Sequence, residues 1–349
     1  MADATWPCVE AKPISKPSTM EIIRTDLFEH PAVKAWSELL PGRVEPESIE
    51  ILHEHKKSAI YRLEGIGPRG AAVVAKRCRT ASALIERTIY EEVLPHLPIS
   101  TLHYYGFTEE NDKFCWLFLE DAGREQFSPL LEEHRTLAAR WLGRMHTSAA
   151  HIAAADRLPD RGSSHYLEHL QSGRAKILRN LAHPELQADD RAVLQSIVSQ
   201  CQALESRWHK AEEFCAGFPR TLVHGDFTGK NLRVRAGHAG IDLLPFDWEK
   251  AGWGVPTTDL AQSGSWGLGG FSANPDIATY WLVVRDHWPS FDLQTIQRLA
   301  NCGKTFRCLA AINWRAQSLA YPGVEWVVGD MRIYHAELSD AIQAATWVQ

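Results

Sequence analysis

The chain has 349 residues, with 37 Lys+Arg against 43 Asp+Glu, a formal charge of −6, 45% hydrophobic and 23% charged residues. These values exclude disordered and low-complexity chains, and the length suffices for two lobes with separate cores. A mildly acidic balance also argues against a general nucleic-acid binder, because phosphate contacts need concentrated Lys and Arg. Thirteen tryptophans stand out, eight of them from position 248 onward.

Residues 1–20 hold three prolines and no apolar core, and read as a flexible arm rather than a secretory signal. The apolar runs Phe114–Leu119 and Ile277–Val284 are too short to span a bilayer, so no membrane partner is expected. The seven cysteines, at 8, 78, 115, 201, 215, 302 and 308, form no C-x-x-C pair and no zinc-spaced cluster. Scattered thiols suit a reducing compartment, and the cytoplasm is the expected location.

In chain order, Asp26–Leu40 reads as a short helix with a proline near its start. Ile49–His53, Ala59–Glu64 and Ala71–Lys76 read as strands, the last two joined through the glycine-rich turn 65–70. Ser82–Leu94 has helical spacing, and strands follow around Leu102–Thr108 and Phe114–Leu119. After Asp121 the composition turns helical, with long segments at Pro129–Ala150, Tyr166–Leu181 and Asp189–Phe214. A strand–loop–strand segment at Thr221–Trp248 interrupts the helices, which then resume with many aromatics. The expected class is α+β: an arm and short helix over 1–47, a small β-rich N-lobe over 48–121 and a larger, mostly helical C-lobe over 122–349.

The most informative stretch is His224-Gly225-Asp226, with Asn231 five positions after the aspartate and an apolar strand on each side. Protein kinases space a catalytic Asp and a metal-binding Asn in this way. The Asp orients the attacking hydroxyl and accepts its proton, while the Asn offers an amide oxygen to Mg²⁺. A hairpin centred near His238 would bring Asn231 and Asp247 out at one end, beside Asp226. Two oxygen ligands suit Mg²⁺, which keeps water and phosphate as its other ligands. Asp and Asn beside glycines also form plain turns, but the spacing, the hairpin and the second Asp together outweigh that reading.

The β-lobe supplies a second half. Paired strands place Lys76 beside the Lys56-Lys57-Ser58 loop, where a lysine can meet nucleotide phosphates. Such a lysine needs a helix carboxylate. Glu86, Glu91 and Glu92 all qualify, and Ile85 and Ile89 set Glu86 beside the packed face.

With Asp247-Trp248-Glu249 and Asp259-Leu260-Ala261 added, the chain resembles the aminoglycoside phosphotransferase/choline kinase family from about Ile49 to Ala261. That resemblance implies a protein-kinase-like two-lobe fold and transfer of the ATP γ-phosphate to a small-molecule hydroxyl. Glu86-Arg87-Thr88-Ile89-Tyr90 resembles the E-x-x-x-Y helix of some branches, and Leu119-Glu120-Asp121 the hinge where backbone groups meet adenine. Carried over, Asp226 is the catalytic base, Asn231 and Asp247 are Mg²⁺ ligands, and Lys76 and Glu86 form the phosphate-positioning pair. Lys57, Ser58, Glu120 and Asp121 complete the nucleotide side. His224 and Asp259 support the loop, and Glu249 assists metal or acceptor. The loop 53–58 contains no glycine, unlike that of many relatives, so Ser58 and two lysines stand where backbone amides usually approach phosphate, and GTP stays open beside ATP.

Trp253-Gly254 and Trp266, in glycine-rich loops after the metal Asp, are the expected acceptor contacts by stacking on a sugar, a flat polyketide or a quaternary amine. A cationic aminoglycoside would instead want carboxylates, and Glu249, Asp259, Asp276, Glu325 and Asp330 are scattered. Gly303-Lys304-Thr305 imitates the end of a Walker A motif, but Arg298 stands where its first glycine belongs and no strand precedes it. A monomer or homodimer is expected. The alternative function is a catalytically silent nucleotide-binding regulatory module, which would have no use for the complete Lys76, Asp226, Asn231 and Asp247 set.

Overall fold

The computed structural model describes residues 21–40, 45–55, 58–150, 152, 155–237, 240–263 and 272–345. The expected arm over residues 1–20 therefore lies outside the described residues, as do Lys57, Trp266 and the turn at His238. Two compact units divide the chain. The first runs to Thr80 and adds His103–Asp121; the second comprises Ala81–Leu102 and everything from Ala122.

The first unit is an antiparallel sheet. β1 (Ile22–Ile23), β2 (Ser48–His55), β3 (Ser58–Glu64), β4 (Val73–Arg79), β5 (Tyr104–Asn111) and β6 (Phe114–Glu120) are ordered β1-β2-β3-β4-β6-β5. Strand β2 runs past the expected end at His53 to His55, which pairs with Ser58. The turn after β3 works as its glycines suggest. Gly65 has φ +78°, and the Cβ of any other residue there would lie 2.9 Å from the Glu47 side chain. Helix α1 (Pro31–Leu39) starts with proline at its first position, where no helical N–H is lost. It buries Val33 and Trp36 against Tyr61, Trp116 and Phe118.

In the second unit, α2 (Thr80–Thr88) does not continue regularly to Leu94. It loosens into a π-turn at Ile89–Val93 and a 3₁₀ turn at Leu94–His96, where Pro95 cannot donate to the helical ladder. Long helices follow: α3 (Glu132–Ala149), α4 (Ser163–Asn180), α5 (Ala188–Glu205) and α6 (Trp208–Ala216). The single helix expected over Asp189–Phe214 is two. Ser206 turns its hydroxyl onto the Ala203 carbonyl, and Arg207 leaves helical geometry at φ −117°, ψ 15°. Helices α7 (Ile277–Val284), α8 (Leu293–Ala316) and α9 (Val324–Ala344) complete the unit.

Among these helices stand β7 (Asp160–Arg161), β8 (Thr221–Val223), β9 (Leu232–Gly237), β10 (Gly240–Pro245) and β11 (Gly252–Gly254). The β9–β10 hairpin was anticipated; the small sheet β7-β11-β8 was not. It corrects the placement of Trp253-Gly254, which lie in strand β11 and not in a loop. A Cβ at Gly252 or Gly254 would meet the Pro159 or Arg161 carbonyl at 2.2 and 2.3 Å, so close strand approach explains both glycines. No helix among the described residues is long and apolar enough to cross a membrane.

Candidate active site

Strand β8 is fully buried and delivers the chain to His224, where a sharp turn begins. Gly225 makes that turn possible. Its φ is +76°, and a Cβ there would lie 2.4 Å from the Lys250 carbonyl oxygen. Asp259, fully buried, accepts the His224 N–H at 2.7 Å and the Gly225 N–H at 3.0 Å. His146 Nε2 adds a third contact to the same carboxylate at 3.4 Å, and the Tyr280 hydroxyl lies 2.9 Å from His146 Nδ1. Burial pushes the Asp259 carboxyl up, but the His146 hydrogen bond and the His224 side of the loop outweigh it and hold the carboxyl below its ordinary range.

The next links set a tautomer. The Asp226 N–H donates to His224 Nδ1 at 3.3 Å, so the ring hydrogen sits on Nε2 and donates to the Phe246 carbonyl at 3.2 Å. Burial lowers the His224 pKa against the opposing pull of Asp259, Asp226 and Asp247, which keeps the ring neutral in this role. His224 thereby ties the Asp226 turn to the end of β10.

Asn231 completes the cluster. Its amide Nδ2 donates to the Asp226 carbonyl at 3.0 Å and to Asp226 Oδ2 at 2.9 Å. Its own carbonyl accepts the Phe246 N–H at 3.1 Å, extending the hairpin beyond the Pro245–Leu232 pair. Asn231 thus opposes Phe246, and Asp247 follows one residue later in a left-handed conformation at φ 66°. Asp226, Asn231 and Asp247 are gathered at one end of the hairpin, as their spacing anticipates. Both Asn231 amide hydrogens are directed at Asp226, which leaves Oδ1 as the acceptor edge. An amide oxygen with a neighbouring aspartate fits the hard-oxygen preference of Mg²⁺.

Two cations hold Asp226: Lys230 Nζ at 3.0 Å from Oδ2 and Arg307 Nη2 at 3.4 Å from Oδ1. Burial pushes the Asp226 carboxyl up, and Arg307, then Lys230, bring it net below its ordinary value. Sequence reasoning passed over both. Lys230 stood inside the motif at i+4 from Asp226. Arg307 lies 81 positions away on α8 and carried no local signal.

The residues expected on the nucleotide side lie in both units. In the first unit, Lys76 is a buried residue of β4, paired with Ile60 of β3 and Leu117 of β6. Ser58 opens β3 and pairs with His55 of β2. Glu120 accepts the His103 N–H at 3.0 Å, and Asp121 accepts from buried Arg62 at 2.9 Å. Arg62 also reaches Glu50 at 2.9 Å. Glu86, in the second unit, is a fully buried residue of α2 one turn from buried Tyr90.

Beside Asp226, a 530 Å³ cavity opens within the second unit. Asp226, Lys230, Glu249, Arg307 and Trp314 are among its lining residues. Glu249 therefore lies where an acceptor contact was expected, whereas Trp253 sits in β11 outside the lining. The Walker-like Gly303-Lys304-Thr305 belongs to the interior of α8. A Cβ at Gly303 would lie 1.8 Å from the Thr257 carbonyl, and Lys304 pairs with Glu337 at 2.6 Å. This glycine admits the Thr257–Asp259 segment and has no phosphate role.

A family model described as Phosphotransferase enzyme family matches residues 58–303. The chain belongs to that family. No curated protein matches it by sequence. Among solved structures, it is similar to APH(2")-IIia in a GDP and kanamycin complex, at 13% identity and TM-score 0.60, over 88% of this chain and 98% of that one. A choline kinase from Cryptosporidium parvum Iowa II is similar at 10% identity and TM-score 0.57, over 88% and 94% of the two chains. Spectinomycin phosphotransferase APH(9)-Ia, in complex with ADP and spectinomycin, matches at 12% identity and TM-score 0.55, over 87% and 94%. These likenesses establish the kinase-like fold of this phosphotransferase: an antiparallel β-sheet lobe and a mostly helical one.

Proposed function

We propose that this phosphotransferase is an ATP- and Mg²⁺-dependent kinase of a small-molecule alcohol, with Asp226 as its base. The observation that carries the reading is the Asp226–Asn231 contact, in which one amide fixes both the main chain and the carboxylate of the aspartate. In the reaction the acceptor hydroxyl oxygen forms a bond to the γ-phosphorus, and the bond from that phosphorus to the ADP oxygen breaks. The hydroxyl proton passes to the Asp226 carboxylate and then to solvent. Phosphoryl transfer of this kind is accelerated by positioning and by offsetting charge on the phosphate oxygens.

Each residue has a role in this scheme. Asn231 Oδ1 and Asp247 would hold Mg²⁺, which when bound offsets charge on the nucleotide phosphates. Lys76, supported by Glu86, would contact the α- and β-phosphates; Ser58 and Lys57 would cover the phosphates, and the Glu120–Asp121 segment would meet adenine. His224 and Asp259 hold the loop and stay outside the chemistry. Glu249 stands on the acceptor side. The similar structures include a GDP complex and an ADP complex, which keeps GTP open as a donor.

Asp226→Ala tests the reading. Turnover should fall at least a hundredfold while nucleotide affinity stays within a fewfold of wild type. Unchanged turnover would overturn the assignment. Tight metal-independent nucleotide binding by the wild type, with no ATP hydrolysis, would point instead to the silent module.

A further inference from the structure

The cavity beside Asp226 has a charge that the chain as a whole lacks. Arg161, Lys230, Lys250, Arg307 and Arg315 line it, against the carboxylates of Asp226 and Glu249. Both carboxylates are engaged. Asp226 is held by Lys230 and Arg307, and Glu249 lies 3.1 Å from Lys250 Nζ. The other acidic residues that could have cradled a cation are engaged or lie elsewhere. Asp259 is buried beneath the catalytic loop, whose His224 N–H it accepts, Asp276 caps α7 by accepting the Thr279 N–H, and Asp330 pairs with Arg315 at 2.6 Å. Glu325 is an exposed first-turn residue of α9 outside the lining.

Arg161 is the telling residue. Its Nε donates to the Lys250 carbonyl at 2.8 Å and its Nη1 to the Asp160 carbonyl at 3.2 Å. Two main-chain oxygens thus aim the guanidinium without neutralising it, and the Asp160 carboxylate itself is paired with Arg220. Desolvation lowers the Arg161 pKa, yet a guanidinium stays protonated in proteins.

A second structure on the same wall points the same way. Lys176 donates to Asn313 Oδ1 at 2.7 Å, which turns the Asn313 amide nitrogen toward His169 Nδ1 at 2.7 Å. His169 therefore carries its hydrogen on Nε2, which faces His165 Nε2 at 3.2 Å. His165 accepts there and keeps its own hydrogen on Nδ1. Both rings are neutral, with the one N–H of His169 donated to His165; burial, with Arg161 and the neighbouring cations, lowers each pKa to about 4. Trp314 adds an aromatic face, with Lys250 Nζ 5.7 Å from its ring centre.

We propose that the acceptor is an anionic alcohol, whose carboxylate or phosphate group is received by Arg161, with Lys250 and Arg315, each already paired with a carboxylate, lining the same cavity, while its hydroxyl faces Asp226. This inference rests on the kinase reading of the same site and narrows its substrate class. A cationic aminoglycoside or amino alcohol entering this cavity would meet the Arg161 guanidinium, which main-chain oxygens hold and no carboxylate pairs, in a concave, partly desolvated site. A cavity of 530 Å³ admits a ring-sized acceptor rather than only a short chain.

The test separates charge preference from catalysis. Glucose, glucosamine, glucuronate and glucose 6-phosphate share one scaffold and differ in charge. Calorimetric binding of each to the full chain is measured beside acceptor-stimulated ADP release with ATP and Mg²⁺. The two anions should bind at least tenfold tighter than glucose, and glucosamine more weakly than glucose. Arg161→Gln and Lys250→Gln should each reduce anion binding about tenfold while leaving glucose binding within a fewfold of wild type. Comparison of glucuronate with glucose 6-phosphate distinguishes carboxylate from phosphate as the anchor. Preference for glucosamine, or anion affinity unaltered in both variants, overturns the proposal. Failure of ATP hydrolysis would count against the kinase reading alone, because the binding arm is read without turnover.

Discussion

Arg307 Nη2 reaches Asp226 Oδ1 at 3.4 Å from a helix 81 positions further along the chain. The proposed base is therefore held ionised by a residue outside the catalytic loop. Its burial alone would raise its pKa, and Arg307 is the largest influence in the opposite direction.

Loss of Arg307 should accordingly move the acid limb of the kcat/KM profile. With the guanidinium gone, less opposes burial and the Asp226 pKa rises, so Arg307→Gln should lose activity at a higher pH than wild type. Arg307→Lys keeps a cation and should restore most of the limb. A pH–rate profile of the three proteins checks this, and coincident acid limbs would refute it.

Asp259→Ala should destabilise the second unit by about 3–5 kcal/mol, since it orphans the buried N–H groups of His224 and Gly225 and the His146 contact. Its depressed carboxyl pKa also gives acid sensitivity with a defined sign. Stability from this group is complete above the unfolded value near 3.8 and is lost as pH falls through the lower folded value. Thermal melts from pH 7 to pH 2.5 should show the variant's acid slope flattened below about pH 4.

His165 and His169 act in a higher window. Each has a folded pKa of about 4 against 6.5 when unfolded, so the unfolded chain takes up protons first as pH falls. Their contribution is complete above pH 6.5 and is lost progressively toward pH 4. A double His165→Gln, His169→Gln variant should be less stable at pH 7.5 and lose less on acidification through that interval. Denaturant midpoints at the two pH values measure it.

Gly225→Ala adds a Cβ 2.4 Å from the Lys250 carbonyl at a φ of +76°, and should cost about 2 kcal/mol or more. The melting temperature should fall by several degrees. Gly303→Ala should do at least as much harm, since its Cβ would lie 1.8 Å from the Thr257 carbonyl. If Gly303 served phosphate instead, its replacement would spare stability and weaken nucleotide binding.

The sequence by itself determined the kinase-like class, the strand order of the hairpin and the Asp226–Asn231–Asp247 cluster. Those features rest on short spacings along one chain, where turn and pairing rules act locally. The residues that local rules miss are those joined across long separations. His146 under Asp259, Arg307 on Asp226, and Asn313 between Lys176 and His169 have no mutual spacing to read. Trp253 shows the reverse error: two flanking glycines imitate a loop, and only the neighbouring strand β7 explains them. The modest −6 of the whole chain likewise gave no hint of a cation-lined cavity. Net charge is a sum over the chain, whereas the field in a cavity depends on which side chains the tertiary fold turns inward and which of them it leaves without a carboxylate.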